Sequence, residues 1–288
     1  MRGALSHLSR MSITSRHVWP CKVSYRRAMP RLIDSHSHLD VREFDADRAH
    51  VLTRATAAGV IAQIVPAITA ASWPALSTLC AAQPSLHPAY GLHPMFLAAH
   101  EPRHLDALEV LLASGAHGVA VGECGLDYFM PDLDRARQQF FFDAQLALAA
   151  QCNLPVIVHA RRALDAVLAG LRRHPGLRGV VHSFSGSAQQ AAQLWDRGFM
   201  LGIGGPVTYG RAQRLRGIVA RMPLQYLLLE TDSPDQPDSD WRGQRNEPAR
   251  LPRILEEIAA LRGQDPEELA AATRDNACRL FGLSGDLR

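Results

Sequence analysis

Short apolar runs alternate with longer amphipathic stretches from residue 31 to the end of the chain. The runs are almost continuously apolar, which is typical of strands buried on both faces of a parallel sheet. Eight occur, at residues 31–35, 62–68, 87–92, 118–123, 155–159, 179–182, 199–203 and 226–230. The helical stretches lie at 48–58, 73–82, 105–114, 134–151, 163–174, 187–197, 211–222, 250–262 and 266–281. Eight β/α units predict an α/β fold, the (β/α)8 TIM barrel, as one domain over residues 31–288.

A doubly wound α/β sheet is the competing architecture for such a pattern. That fold usually opens with a glycine-rich phosphate-binding turn directly after its first strand. The segment after the first run, residues 36–40, reads HSHLD and contains no glycine. The closed barrel is therefore the favoured prediction.

Residues 1–30 differ in composition from the rest of the chain. They contain six basic residues and no acid, so the net charge of +3 leaves −3 for residues 31–288. Without an apolar stretch this extension is not a secretory signal. It is either a transit peptide or, as we favour, a disordered or non-native extension before a body that starts near Met29. The mildly acidic body does not suit a protein that coats duplex DNA by bulk charge, so any nucleic-acid contact must be local.

Cysteine usage and hydropathy indicate the compartment. The five cysteines are scattered and lack CxxC spacing, which is typical of a reduced, intracellular protein. No run of 18 or more apolar residues appears, so no membrane span is predicted. We expect a cytoplasmic monomer.

Candidate chemistry begins at the end of the first run, where His36 and His38 stand two residues apart. In an extended segment such residues project to the same side, so the two imidazoles can bind one ion. Alone, this spacing is a weak signal. Barrel enzymes, however, carry their chemistry at the C-terminal ends of their strands.

Other strand ends carry the same kind of side chain. The fourth run ends in Glu123, the fifth in His159 and the sixth in His182, and Asp232 follows the eighth. Imidazoles with two carboxylates suit Zn, Mn, Fe or Mg. Six ligands exceed what one ion with an open position needs, so they suit two ions bridged by one carboxylate. Glu123, from the middle of the barrel, is the natural bridge. A carbamylated lysine is excluded because residues 31–288 contain no lysine.

The chain resembles the TatD family of metal-dependent hydrolases over nearly all of residues 31–288. The matching segments are IDSHSHLD (33–40), GLHP (91–94), GECGLDY (122–128), PVIVHAR (155–161), HSFSG (182–186), LLLETDSP (227–234) and RNEP (245–248). The resemblance implies a (β/α)8 barrel with two divalent ions. It places one ion among His36, His38, Glu123 and Asp232, and the other among Glu123, His159 and His182.

Four further residues are candidates for substrate contact. His93 lies in GLHP at the end of the third run, and Arg161 lies two residues beyond His159. Arginine forks suit phosphate oxygens. Asp127 and Ser183 are expected either to support a ligand or to contact substrate. Cys124, beside Glu123, is expected to be a core thiol rather than a soft extra ligand.

These features predict hydrolysis by a water that two divalent ions (Mg, Mn or Zn) activate, with Glu123 and Asp232 as catalytic residues and Asp232 as the general base. The resemblance implies a 3′→5′ exodeoxyribonuclease acting on single-stranded DNA or short nucleic-acid ends. Hydrolysis of esters or amides, such as aminoacyl-tRNA, is the alternative. A non-enzymatic binding protein on the barrel scaffold is a third hypothesis, which the intact ligand set disfavours.

Overall fold

Eight parallel strands form one sheet in which each strand pairs with the next along the chain. The computed structural model describes residues 29–114, 118–283 and 287, so the predicted extension of residues 1–30 lies outside the described residues except for its last two. The strands are β1 (Leu32–Asp34), β2 (Val60–Pro66), β3 (Leu86–Tyr90), β4 (Ala120–Asp127), β5 (Val156–Arg161), β6 (Gly179–Val181), β7 (Phe199–Ile203) and β8 (Leu227–Leu229). A hydrogen bond of 2.9 Å from the backbone N–H of Ser35 to the carbonyl of Leu229 joins the two ends of the sheet. The predicted (β/α)8 barrel is confirmed.

Helices follow the strands and cover the outside of the barrel. They are α1 (Arg48–Ala57), α2 (Trp73–Ala82), α3 (Arg103–Ala113), α4 (Arg135–Gln151), α5 (Leu164–Arg172), α6 (Ala188–Trp195), α7 (Gln213–Val219), α8 (Leu251–Arg262) and α9 (Pro266–Phe281). None of these helices, nor any other in the described residues, combines the length and apolar character of a membrane span.

Two layers of apolar side chains make the core. The larger layer lies between strands and helices and includes Phe142 and Leu146 of α4, both fully buried. The smaller layer fills the barrel with side chains such as Ile64 and Ile157, and the C-terminal end of α9 packs against it through Phe281. The inward-facing side chains therefore form a packed core rather than a pore.

The fourth strand extends beyond its predicted end. The apolar run ends at Glu123, but β4 continues to Asp127 and remains paired with β5 through Gly125 opposite His159. A Cβ at Gly125 would lie 2.0 Å from the carbonyl oxygen of His159, so only glycine permits this approach. Glu123 consequently lies inside the strand, where it is fully buried.

Candidate metal centre

The six predicted ligands converge at the C-terminal end of the barrel. They come from five places in the fold. These are the segment after β1 (His36, His38), β4 (Glu123), β5 (His159), the residue after β6 (His182) and the loop after β8 (Asp232).

One group of donor atoms surrounds the Oε2 atom of Glu123. The Nε2 atoms of His36 and His38 lie 3.1 and 3.4 Å from Oε2, and 3.1 Å from each other. The Oδ1 atom of Asp232 lies 3.6 Å from the Nε2 atom of His36 and 3.7 Å from that of His38. Oε2 is buried and forms no hydrogen bond with any described residue. A buried carboxylate oxygen without a donor, facing two imidazole nitrogens, fits a cation at this position.

A second group surrounds the other oxygen of Glu123. The Nε2 atom of His182 lies 2.7 Å from Oε1, and the Nδ1 atom of His159 lies 3.0 Å from it. These two imidazole nitrogens are 3.4 Å apart. Glu123 therefore presents one oxygen to each donor group, as a bridging carboxylate does.

Neighbouring oxygens fix which ring nitrogen of two ligands faces the centre. The Nδ1–H of His38 donates to the carbonyl of Pro66 at 3.1 Å, which leaves the Nε2 lone pair free. The Nε2–H of His159 donates to Oδ2 of Asp127 at 2.9 Å, which leaves its Nδ1 lone pair free. A partner oxygen on the outer nitrogen is the usual arrangement for metal-binding histidines.

His93 is placed beside the second group, but its tautomer differs. Its Nδ1 accepts the backbone N–H of Met95 at 3.1 Å, so a neutral ring carries its proton on Nε2. Burial lowers the pKa of His93 to about 4, which keeps the ring neutral. Its Nε2 lies 2.9 Å from Oε1 of Glu123, where it donates a hydrogen bond instead of binding a cation.

Charge is concentrated strongly in this cluster. Burial raises the pKa of Glu123, but the surrounding imidazoles, His182 first, outweigh it and hold the pKa well below its usual value. Burial lowers the pKa of His38 and of His182, but the adjacent Glu123 carboxylate outweighs it and raises the two pKa values to about 9 and about 10. The cluster of donor atoms therefore favours positive charge, whether from protons or from a bound cation.

Two buried carboxylates near the cluster were missed by the sequence analysis. Burial raises the pKa of Asp34 to about 7 and that of Glu230 to about 8. Asp34 accepts hydrogen bonds from the side chain and backbone of Thr231, at 2.6 and 3.0 Å, and so ties β1 to the loop after β8. Glu230 accepts the backbone N–H of Ser183 at 2.5 Å and lies 4.0 Å from Nδ1 of His182. Glu230 is the last residue of the predicted run at 226–230, and this strand-end position was the available signal.

Two of the loops that carry the site have left-handed backbone at non-glycine residues. Ser183 has φ 44°, Asp232 has φ 57° and Gln236 has φ 50°. The side-chain amide of Gln236 donates to Oδ2 of Asp232, and its carbonyl accepts from the Ser183 hydroxyl at 2.8 Å. Such conformations persist where surrounding contacts enforce them, and they often mark functional sites. No sequence pattern identified Gln236.

The structure separates the predicted substrate contacts. Asp127 is fully buried behind His159, which favours the supporting role over substrate contact. Arg161 is exposed, and its guanidinium carbon lies 3.7 Å from the centre of the Phe129 ring. Cys124 is buried and lies 3.7 Å from the carbonyl of Ile157, as expected for a core thiol.

A cleft of about 1330 Å³ opens above the donor cluster. Five of the six candidate ligands line its floor, all except His36, and four arginines line it as well, of which only one was predicted. The arginines are Arg42, Arg161, Arg211 and Arg214. The fold and site together define a metal-dependent hydrolase barrel.

The comparisons with known proteins identify the family. The model of TatD related DNases matches residues 33–282, and the chain belongs to this family. The chain is 42% identical over 255 residues to the uncharacterized metal-dependent hydrolase YjjV of Escherichia coli K12, covering 88% of this chain and 98% of that one. It is 37% identical over 265 residues to the 3′-5′ ssDNA/RNA exonuclease TatD of Erwinia tasmaniensis, covering 88% and 100%. The crystal structure of YjjV aligns with a TM-score of 0.86 at 40% identity, covering 89% and 100%.

Proposed function

We propose that the chain is a two-ion phosphodiesterase that removes nucleotides from the 3′ end of single-stranded DNA or RNA. The observation that carries the proposal is the position of Glu123, which presents Oε2 to His36 and His38 and Oε1 to His159 and His182. Two ions on one carboxylate suit displacement at phosphorus, because the attacking and the leaving oxygens both need stabilisation. The relative from Erwinia tasmaniensis, named as such an exonuclease, supports the choice of substrate.

The proposed ligands are those of the two donor groups. His36, His38 and Asp232 hold one divalent ion, His159 and His182 hold the other, and Glu123 binds both. Mg, Mn or Zn fits this mixture of imidazoles and carboxylates. When bound, such ions supply Lewis-acid stabilisation of developing negative charge and lower the pKa of water.

The chain's own residues hold the carboxylates in place and accept the proton. Asp232 directs Oδ1 toward the first donor group, while Gln236 donates to its other oxygen. We assign Oδ1 of Asp232 as the acceptor of the proton that the attacking water releases, because the hydrogen bond from the Gln236 side chain to Oδ2 fixes the carboxylate in place. His93 lines the cleft, and its Nε2–H donates to Oε1 of Glu123, so we assign it to orienting that carboxylate rather than to contact with substrate.

Hydrolysis of carbonyl esters or amides is the alternative for the same centre. A closed apolar pocket would favour it, but the cleft has exposed arginines on its walls. Guanidinium groups match the phosphates of a nucleic acid better than an uncharged ester. The basic walls therefore favour phosphodiesters.

One assay separates the candidate activities. The purified chain is stripped of metal, reloaded with Mg, Mn or Zn, and given 5′-labelled single-stranded DNA, aryl esters and aminoacyl-tRNA. We expect stepwise shortening of the DNA from its 3′ end. In Glu123→Gln the rate of this shortening should fall by more than the roughly 10- to 100-fold that is typical when only a hydrogen-bond partner of a metal ligand is replaced. Glu109→Gln makes the same chemical change at an exposed position of α3 and is the matched control. Turnover of an ester or of aminoacyl-tRNA without release of nucleotides contradicts the proposal.

A further inference from the structure

Apart from Arg42, which follows β1 and pairs with Glu43 at 3.8 Å, the basic and acidic side chains occupy different parts of the cleft rim. Arg161 ends β5, Arg211 lies between β7 and α7, and Arg214 lies in the first turn of α7. Asp40 lies in the segment after β1, and Asp235 lies in the loop after β8. Because neighbouring strands follow chain order, the three arginines form an arc over β5–β7, and the acids lie over β8 and β1. We call the first group, Arg161, Arg211 and Arg214, the basic arc.

The arginines of the basic arc carry uncompensated charge. None of the three forms an ion pair with a carboxylate of the described residues, whereas Arg216 and Arg250 are paired with Glu257 and Asp238. The body of the chain is mildly acidic, with −3 over residues 31–288. Three unpaired guanidinium groups on one wall of a cleft are therefore a local attraction for anions.

Contacts that leave the charge available hold these arginines in place. Arg161 stacks on the Phe129 ring at 3.7 Å, and Arg211 lies over the Tyr209 ring at 5.3 Å. A terminal nitrogen of Arg214 donates to the carbonyl of Ser185 at 2.8 Å, which ties it to the loop after β6. A planar guanidinium stacked on a ring keeps its edge donors free for a phosphate.

We propose that the basic arc binds backbone phosphates of the substrate strand on the 5′ side of the nucleotide being removed. The strand then leaves the donor cluster over the loops after β5, β6 and β7, away from the carboxylates after β8 and β1. This inference rests on the proposed function, since it assumes that the strand end lies at the donor cluster. It predicts tighter binding of longer strands without sequence preference, because phosphate contacts carry no sequence information.

Salt dependence of binding tests the basic arc directly. The full chain in EDTA, which prevents hydrolysis, is titrated against a fluorescein-labelled oligothymidylate of about ten nucleotides between about 50 and 200 mM salt. Each phosphate contact on a single strand contributes about −0.7 to the slope of log K against log salt. The Arg211→Ala/Arg214→Ala variant is expected to make the slope shallower by about 1.4 and to weaken binding throughout.

The matched control removes two charges from the opposite end of the barrel. Arg197 precedes β7 and Arg221 precedes β8, both exposed, and Arg197→Ala/Arg221→Ala is expected to keep the wild-type slope. Equal slopes for the two double variants overturn the inference, as does an equal loss of affinity for a mononucleotide and for the oligonucleotide. If the metal-loaded wild type hydrolyses the strand while the two slopes stay equal, only the inference about the basic arc is contradicted. If the wild type binds through the basic arc but releases no nucleotide when it is loaded with metal, only the exonuclease proposal is contradicted.

Discussion

Asp127 lies behind His159, and its replacement tests whether the second donor group is a metal site. Its Oδ2 accepts the Nε2–H of His159 at 2.9 Å, and its Oδ1 accepts the backbone N–H groups of Phe129 and Met130 at 2.9 and 3.2 Å. In Asp127→Asn the side-chain carbonyl can still accept the two backbone bonds. The amide NH2 then faces the Nε2–H of His159, so this hydrogen bond is lost.

The size of the effect follows from the bond that is lost. A hydrogen bond to a charged group contributes about 1.5–3 kcal/mol, which corresponds to roughly 10- to 100-fold in affinity. His159 belongs only to the second group, so we expect this loss for one ion while the ion at His36 and His38 keeps its affinity. Competition with a chelator of known affinity measures the two dissociation constants.

The control for this substitution lies on the loop that follows Asp127. Asp132 is exposed, and Asp132→Asn makes the same chemical change away from the cluster. It is expected to bind both ions as the wild type does. Wild-type affinity for both ions in Asp127→Asn, or an equal loss at both, would refute the supporting role of Asp127.

Three other predictions concern stability. Gly202→Ala places a Cβ 1.9 Å from Oε2 of buried Glu230, so it should lower the free energy of unfolding by about 1–3 kcal/mol in urea titrations. Gly210→Ala, with no atom within 4 Å of its Cβ, should have little effect, and equal effects would contradict the clash. In α4, Phe142→Ala should lower the free energy of unfolding by about 3–5 kcal/mol, because Phe142 is fully buried. Phe140 is 51% exposed, so Phe140→Ala should lower it by less than about 0.5 kcal/mol. Similar losses in the two variants would contradict the assigned burial. The metal-free chain should melt at lower temperature as pH rises from 7 to 9. Four buried groups, Asp34, Glu230, His38 and His182, have pKa values raised to between about 7 and about 10 in the folded chain. They therefore keep protons that the unfolded chain has already released, and the stability that this provides is lost as they titrate. A rising melting temperature over that range would contradict these pKa directions.

The barrel was predictable because buried parallel strands have a simple signature. The structure places β7 at Phe199–Ile203, and α2 and α9 at the predicted bounds. The extension of β4 to Asp127 was not predictable from hydropathy. It depends on the close approach of Gly125 to β5, which a run-length pattern does not record.

Part of the site was likewise predictable from the sequence, and part depends on tertiary contacts. Strand-end positions identified the six candidate ligands, because the closed barrel brings all its strand ends together. The tautomer of His93 depends instead on the backbone N–H of Met95, and the bond from Gln236 to Asp232 depends on two left-handed residues in one loop. Such contacts come from loop conformation, which the sequence pattern does not specify.

The central claim is that two ions share Glu123. A crystal structure of the full chain loaded with manganese, with anomalous differences measured at the metal edge, tests it most directly. The account predicts two anomalous peaks, one at each carboxylate oxygen of Glu123. A single peak, or two peaks that do not share this carboxylate, would contradict it.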